Sequence, residues 1–359
     1  MLDRCPLCLI IAFLTLAGCA TTSTKLAAVD DGMVEAEQQK QRELWLSTQE
    51  EQQQRLENIA YPILHHGVSL CPDDVVMMAG FRYASIYTYE GVWREAARYA
   101  LGLGDTLEVL SVIDGSGADR AGLKPGDHIL RLGTTEIPIG KQAMAAAGEW
   151  GDEFRASGLR HLAIEYKRSG ERHVTTVAAE AACGYPTLVV QEGGLNAFAD
   201  GKAIYVATAM MRFADDNELA VIVAHELAHN AMGHIDAKKK NAAAGALFGL
   251  LGDIAMAYSG VNTGGYYTTQ FASLGAMTFS QNFEREADYV GMYALALAGL
   301  PLESAPELWR HMAIANPQFI ALAQSHPTSA ERFVRMEQTV LEIEEKRSEG
   351  ATLYPNMRE

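Results

Sequence analysis

The chain has 359 residues, of which 48% are hydrophobic and 21% are charged, and its formal net charge is −16. This length allows two or three domains, and the composition excludes a wholly disordered chain. An acidic chain without a long basic run is a poor nucleic-acid binder, so we expect no nucleic-acid partner and interpret the acidity as a source of solubility.

The N-terminus predicts a secreted and lipid-anchored protein. Arg4 precedes an apolar run, Leu7 to Leu16, that has the length of a signal-peptide core and is too short to span a bilayer. Leu16-Ala17-Gly18-Cys19 resembles the lipobox of bacterial lipoproteins. The resemblance implies a signal peptide at residues 1–18 and acyl chains on Cys19 that anchor the protein to a membrane. The alternative is a plain signal peptide with an accidental cysteine.

The residue after the lipobox cysteine bears on location. Residue 20 is Ala rather than Asp. This choice of residue after the cysteine resembles the pattern of bacterial lipoproteins that are sorted to the outer membrane. We therefore expect a Gram-negative outer-membrane lipoprotein that faces the periplasm.

Cysteine counting agrees with an oxidising compartment. Of the five cysteines, Cys5 and Cys8 lie in the signal peptide and Cys19 is the lipidation candidate. The remaining pair, Cys71 and Cys183, is predicted to form a disulfide.

Residues 19–60 are polar and helix-prone, and they predict a solvated helical tether that docks at its C-terminal end. Pro62 predicts a break near the end of this helix. A coiled coil is disfavoured because no a/d repeat is sustained. Residues 61–99 are expected to form a helical region that packs on the domain at residues 184–347.

Residues 100–180 change from a helix-prone pattern to one of strands and turns. "LEVLSVID" and "DHILRLG" predict strands on either side of a Gly-rich turn. The block "SGADRAGLKPGDHILRLGTTEI" resembles the bacterial PDZ signature. The resemblance implies a β-rich domain that binds an extended peptide at a sheet edge, with Ala100 to Thr106 as the carboxylate-binding turn. Asp105 in that turn would repel a peptide carboxylate. The alternative role is a packing module that positions or occludes a neighbouring site.

The stretch "ADDNELAVIVAHELAHNAMGH" predicts a buried helix that starts at a capping box of Asp215 and Glu218. His225 and His229 lie one turn apart on one face, a spacing at which two imidazoles reach one zinc ion. Glu226 lies close enough to hold a water molecule as a general base. The alternative, two core histidines satisfied by hydrogen bonds, leaves two buried imidazoles beside a buried carboxylate without a compensating ion.

A catalytic zinc needs a third protein ligand. The metzincin pattern is absent, because Met232 and Ile235 stand where it needs Gly and His, and His234 is interpreted as a structural or surface histidine. In "SQNFEREADYVGM" we assign Glu284 as the third ligand and Asp288, on the same helix face, as the carboxylate that orients a ligating histidine. Glu286 is the rival ligand.

The motifs "HELAH", "FEREAD" and "SHPTSAER", in this order, resemble the HtpX/BepA-like and CAAX-prenyl-protease-like zinc metallopeptidases of the gluzincin group. The similarity covers roughly residues 184 to 345, and we place the metallopeptidase domain at residues 184–347. It implies an α+β protein: a mainly helical zincin-type domain with a small edge-stranded sheet, beside the PDZ-like domain. It also implies one Zn²⁺ per chain, with Glu284 as a ligand.

The resemblance implies roles for three further residues. His326 would lie near the metal, where it would stabilise the oxyanion or occupy the open coordination position; the alternative is a helix-terminus histidine before Pro327. Arg332 would anchor that loop or contact substrate. Asn196 would begin an edge strand that pairs with an extended substrate.

Residues 242–252 are apolar and rich in small side chains, and Asp253 interrupts them. We interpret this stretch as a packed helix with a glycine-rich lid, and contact with a membrane surface is the alternative. Taken together, the motifs predict a zinc endopeptidase, and the family resemblance and the expected compartment imply that its substrates are misfolded or unassembled envelope proteins. The alternatives are a chaperone or adaptor that binds extended clients and a structural lipoprotein, which would leave the metal residues unexplained.

Overall fold

The computed structural model describes residues 24, 27–191, 194–258, 263–270, 280–315 and 330–357. The helices are α1 (Asp31–His66), α2 (Val92–Ala100), α3 (Gly117–Arg120), α4 (Ala143–Ser157), α5 (Thr208–Phe213), α6 (Asp216–Ala231), α7 (His234–Tyr258), α8 (Ser280–Leu297), α9 (Ser304–Ala315) and α10 (Ala330–Ser348). The strands are β1 (Val75–Met78), β2 (Phe81–Ala84), β3 (Glu108–Val112), β4 (His128–Leu132), β5 (Thr135–Glu136), β6 (His161–Arg168), β7 (Glu171–Ala178), β8 (Glu180–Cys183), β9 (Thr187–Val190), β10 (Ala197–Ala199) and β11 (Ile204–Ala207). The predicted α+β class is confirmed.

Helix α1 begins where the Asp30 side chain accepts a hydrogen bond from Gly32 N–H (2.9 Å), and it runs for 36 residues. The predicted break at Pro62 is wrong, because the helix continues to His66. Its buried side chains Tyr61, Ile63 and Leu64 hold this last turn in the core. Packing thus outweighs the missing N–H of the proline.

Polar side chains of α1 also bond to two separate parts of the chain, the α5–α6 region and strand β2. Arg55 bonds the Asp216 carboxylate (2.7 Å) and the carbonyl of Met211 (2.6 Å). Arg82 of β2 pairs with Glu50 and Glu57 of α1, each at 2.8 Å. These contacts lie between Glu50 and Glu57, in the C-terminal half of α1, whereas residues 31–38 are exposed.

The β-domain, residues 81–178, contains an antiparallel sheet of order β2-β3-β4-β6-β7, with β5 paired to β4. Its core packs the sheet against α4 through Leu132, Ile164 and Ala147. The expected helical region at residues 61–99 is helical only in part, because it contains the end of α1 and most of α2 but also β1 and β2, and the sheet begins at Phe81. β1 and β2 have four residues each, too few to produce a clear alternation in the sequence.

A two-stranded ribbon closes the base of the β-domain. β1 pairs antiparallel with β8, and Val75 lies opposite Cys183. The structure joins Cys71 and Cys183 in a disulfide across 112 residues of sequence. The β-domain is therefore an insertion whose entry and exit are held together.

The turn from Ala100 to Thr106 is already occupied by internal hydrogen bonds. Gly104 N–H donates to the buried carboxylate of Glu108 (2.8 Å), and the Gly104 carbonyl accepts from Ile86 N–H (2.9 Å). A carboxylate of the protein itself thus occupies the Gly104 N–H group of the turn that the resemblance assigns to a peptide carboxylate. An apolar cavity of about 390 Å³ lies elsewhere, between β2, α4 and α1.

The helical domain, residues 187–348, surrounds α6. A three-stranded sheet of order β10-β11-β9 lies beside α6, with β10 antiparallel and β9 parallel to β11. Helices α8 and α9 also pack on α6, and α10 packs on α8 and α9. Gly291 of α8 permits close approach, because a Cβ at this position would lie 3.1 Å from the Ala224 carbonyl oxygen of α6.

Within the described ranges, no helix combines the length and apolar character needed to cross a bilayer.

Candidate metal centre

Helix α6 carries the two histidines in a fully enclosed position. The predicted capping box is confirmed: Asp215 accepts from Glu218 N–H (2.9 Å), and the Glu218 carboxylate accepts from Asp215 N–H (3.1 Å). Every residue from Leu219 to Asn230 is buried. Because the cap fixes where the helix starts, it also fixes which face His225 and His229 present to α8.

Three side chains converge on one point between α6 and α8. The Nε2 atoms of His225 and His229 are 3.2 Å apart, and the Glu284 carboxylate lies 3.3 Å from the first and 3.5 Å from the second. Ligand atoms held at 2.0–2.1 Å from one tetrahedral zinc ion would be about 3.3–3.4 Å apart. The donor atoms thus have the spacing that a bound ion requires.

Among the described residues, these three form the one group of His, Cys, Asp and Glu side chains close enough to hold a metal ion. Burial alone would lower the pKa of His225, but hydrogen bonds with Asp288 and Glu284 raise it to about 9. The surroundings of the cluster therefore favour a positive charge, as expected of a cation site.

A buried ion pair lies behind His225. Its Nδ1 atom is 3.0 Å from Asp288, and Arg332 of α10 bonds both carboxylate oxygens of Asp288 at 2.6 Å each. The Arg332 guanidinium also lies 4.1 Å from the ring centre of Trp309. Burial raises the pKa of Asp288, but the charge of Arg332 and the bond to His225 outweigh it and lower that pKa. Asp288 is thus held as an anion in the orienting position that the sequence assigns to it.

A different pair lies behind His229. Its Nδ1 atom is 3.0 Å from Nδ1 of His234, whose Nε2 atom is 2.9 Å from the Glu286 carboxylate. His234 is 1% exposed, and burial lowers its pKa. His234, predicted to be a structural or surface histidine, is buried and lies against a candidate ligand. Glu286, the rival ligand, contacts His234 and is not in the cluster.

Glu226 is buried at 3% exposure and follows His225 directly on α6. Its negative charge contributes to the raised pKa of Arg332, which places the carboxylate within electrostatic reach of the site. His326 and Cys19 lie outside the described residues.

A short edge strand lies beside the metal helix. β10 forms one edge of the described three-stranded sheet, and Asn196, directly before it, accepts a hydrogen bond from Ala207 N–H through its carbonyl (3.0 Å). Asn230, next to His229 on α6, accepts from Gly201 N–H (2.8 Å) and donates to the Ala203 carbonyl (3.1 Å). Asn230 thus fastens the turn after β10 to the metal helix. Sequence reasoning missed this residue.

The predicted lid region is partly described. Helix α7 runs through the apolar stretch, and Asp253 accepts hydrogen bonds from the backbone N–H groups of Tyr267 (3.2 Å) and Thr268 (2.8 Å). The charge that interrupts the apolar stretch therefore bonds the helical segment at residues 266–270 to α7.

The buried HExxH helix and the glutamate from a second helix define a metallopeptidase of the gluzincin type. Residues 165–340 match the model of peptidase family M48. This part of the chain belongs to that family, and the match begins within β6, before the predicted domain boundary at residue 184.

Curated relatives agree with the family. The Beta-barrel assembly-enhancing protease of Yersinia pestis is 26% identical over 234 residues, which cover 60% of this chain and 48% of that protein. Mitochondrial metalloendopeptidase OMA1 of Schizosaccharomyces pombe is 26% identical over 204 residues, 55% of this chain and 59% of that protein. The Arabidopsis thaliana OMA1 is 25% identical over 211 residues, 56% of this chain and 42% of that protein. The chain thus spans about half the length of these relatives.

Among solved structures, the HtrA3 PDZ domain bound to a phage-derived ligand matches 30% of this chain and 88% of its own, with 15% identity and a TM-score of 0.22.

Proposed function

We propose that the protein is a zinc endopeptidase, lipid-anchored at the outer membrane and facing the periplasm, that cleaves misfolded or unassembled envelope proteins. The observation that carries this proposal is the buried cluster of His225, His229 and Glu284 with Glu226 beside it. Two imidazoles and one carboxylate at tetrahedral spacing are a donor set that suits Zn²⁺ and leaves a coordination position open.

Bound there, zinc would polarise the scissile carbonyl and lower the pKa of a water molecule. Glu226 accepts a proton from the attacking water and then delivers it to the leaving amine. Asp288 holds His225 in orientation through its Nδ1 atom. His326 remains a proposed participant, as a hydrogen-bond donor to the oxyanion or as an occupant of the open position.

Substrate presentation is proposed to use strand addition at β10. An extended peptide that pairs with β10 would run past α6, because Asn230 fastens the turn after this strand to the metal helix. Asn196 would lie at the start of this path. Since a folded chain rarely offers a free extended segment, the proposed substrates are unfolded or locally extended proteins.

The proposed location is supported by the lipobox-like sequence at Cys19 and by the relative in the bacterium Yersinia pestis, whose name refers to β-barrel assembly. A disulfide between Cys71 and Cys183 fits an oxidising compartment.

The deciding experiment compares wild type with Glu226→Gln, measuring zinc content and cleavage of an unfolded envelope protein. We expect equal zinc and a rate reduced by about 10²–10⁴-fold, because only the proton acceptor is lost. Glu303→Gln, the same change at an exposed glutamate, serves as the control and should leave the rate unchanged. Equal cleavage by wild type and Glu226→Gln would refute the peptidase mechanism.

A second candidate function, client binding by a PDZ-like β-domain, is favoured by the apolar cavity beside β2. The cavity lies between this edge strand and α4, and Tyr83, Gly151 and Phe154 are among its lining residues. The test of this function measures the binding of a labelled, extended apolar peptide to the Glu226→Gln variant. We expect Gly151→Leu, which fills the cavity, to weaken that binding. Unchanged binding would exclude this groove.

A further inference from the structure

A two-residue turn directly after the metal helix places a third histidine against the site. Gly233 adopts φ +66° between α6 and α7, a backbone conformation that other residues rarely adopt. His234, the first residue of α7, thereby lies with its Nδ1 atom 3.0 Å from Nδ1 of His229. The ring of Phe283 stacks on His234 at 4.6 Å between ring centres and limits its rotation.

The direction of each hydrogen bond in this arrangement follows from the role of His229. Its Nε2 atom faces the cluster, and a nitrogen that binds a cation carries no hydrogen. The hydrogen of a neutral His229 ring is then on Nδ1, which donates to Nδ1 of His234. His234 must carry its own hydrogen on Nε2, and this group donates to the Glu286 carboxylate at 2.9 Å. Each ring nitrogen has one defined role.

We propose that His234 and Glu286 are positioning residues that fix the ring orientation and tautomer of His229 and so raise the metal affinity of the site. The inference rests on the proposed metal-dependent function. Loss of the hydrogen-bond acceptor that orients a metal-binding imidazole lowers metal affinity by about 10–100-fold. Here the acceptor is itself an imidazole, and its orientation depends on a carboxylate.

The two ligating histidines are therefore oriented by chemically different means. His225 faces Asp288, an anion neutralised by a buried arginine. His229 faces a buried neutral ring whose outer partner, the Glu286 side chain, is 49% exposed. Because solvent can replace a half-exposed carboxylate, loss of Glu286 should weaken the site less than loss of His234.

A purely structural histidine would fill the same space, so the test compares two replacements in the full chain. His234→Phe keeps the ring volume and the stacking on Phe283 but removes the acceptor. His234→Asn places a carbonyl oxygen near the position of Nδ1 and restores it. Arg285→Ala, which removes an exposed ion pair beside Glu286 on α8, is the control.

Zinc affinity is measured by competition with a chromophoric chelator. We expect about a 10–100-fold loss in His234→Phe, recovery of most of it in His234→Asn, and a smaller loss in Glu286→Ala. The Arg285→Ala control should bind as wild type does. Phe and Asn variants that bind zinc equally well, at whatever level, would overturn the proposal.

The ring tautomers are measured separately by long-range ¹H–¹⁵N NMR on the metal-free protein. We expect His229 to carry its hydrogen on Nδ1 in wild type and to become a mixture of tautomers in His234→Phe. A wild-type His229 with its hydrogen on Nε2 would refute this inference while leaving zinc binding and cleavage untouched. Failure of wild type to bind zinc would instead refute the proposed function, and the tautomer result would still stand.

Discussion

Replacing Arg332 by methionine would leave the Asp288 carboxylate buried without its cation. Both side chains are enclosed, with 4% of Arg332 and 7% of Asp288 exposed. Arg332→Met removes two hydrogen bonds of 2.6 Å and the contact with the Trp309 ring, and it retains much of the apolar stem.

The expected loss in the free energy of unfolding is about 3 kcal/mol, the lower end of the 3–5 kcal/mol for breaking a buried ion pair, since His225 still bonds Asp288 at 3.0 Å. The loss has a defined pH dependence. Burial raises the pKa of Asp288, and Arg332 lowers it below the value of about 3.9 for an unfolded chain. This stabilisation is therefore present above that value and is lost as the pH falls through the lowered folded pKa.

The assay is urea unfolding in the presence of a chelator, so that metal binding does not contribute. Arg335→Met, on the same helix with its side chain 60% exposed, breaks only a surface pair with Glu331 and should cost at most about 1 kcal/mol. Asp288→Asn in the Arg332→Met background should restore stability, because it removes the unpaired buried charge. The reasoning is refuted if Arg332→Met costs no more than Arg335→Met, or if the double variant is no more stable than Arg332→Met.

Three further predictions concern other contacts of the fold. Asn230→Ala should leave zinc content unchanged and raise KM for an unfolded substrate, because the turn after β10 loses two hydrogen bonds to α6; steady-state kinetics with an unchanged KM would contradict this. Replacing Cys71 and Cys183 by serine should lower the free energy of unfolding by about 2–5 kcal/mol, and reduction of the wild type should reproduce the loss in urea titrations; no change on reduction would count against the disulfide. Burial raises the pKa of Glu342, but hydrogen bonds from Tyr289 and a second tyrosine of α8 outweigh burial and lower it. Glu342→Gln should therefore reduce stability above a pH of about 4.3, and this loss should vanish as the pH falls through the lowered pKa. Thermal melts in which the difference between variant and wild type grows on acidification would contradict this.

The candidate metal ligands could be predicted from sequence because their geometry is local. His225 and His229 are four residues apart on one helix, and helical periodicity alone places them on one face. Glu284 and Asp288 have the same spacing on α8 and meet those histidines in the structure. Helical periodicity alone does not show that these two helices contact each other.

The role of His234 could not be assigned in this way. It stands five residues after His229 in the next helix, and its approach depends on the left-handed backbone at Gly233. The sequence shows a glycine at this position but not the direction in which the chain leaves it. Asn230 was missed for a related reason, since the turn that it bonds is brought to α6 by packing of the sheet.

The β-domain illustrates a different limit. The Gly-rich turn and the strands after Leu107 stand out in the sequence, whereas β2 is a four-residue strand whose partner begins 27 residues later, at Glu108 (108 − 81). Short strands are recognised mainly by their cross-strand neighbours, which only the fold supplies. The predicted boundary at residue 100 therefore cut through the sheet.

One acidic helix, α8, contacts both candidate metal-binding imidazoles, directly or through His234. Glu284 and Glu286 are turned about 200° apart on α8, and Asp288 returns to within about 40° of Glu284. Glu284 faces the cluster and Asp288 reaches His225, while Glu286 reaches the other side of the site through His234. A rotation of α8 would thus disturb a ligand and the supports of both histidines together. The close approach of the two helices at Gly291, where a Cβ would lie 3.1 Å from the Ala224 carbonyl oxygen, opposes such a rotation.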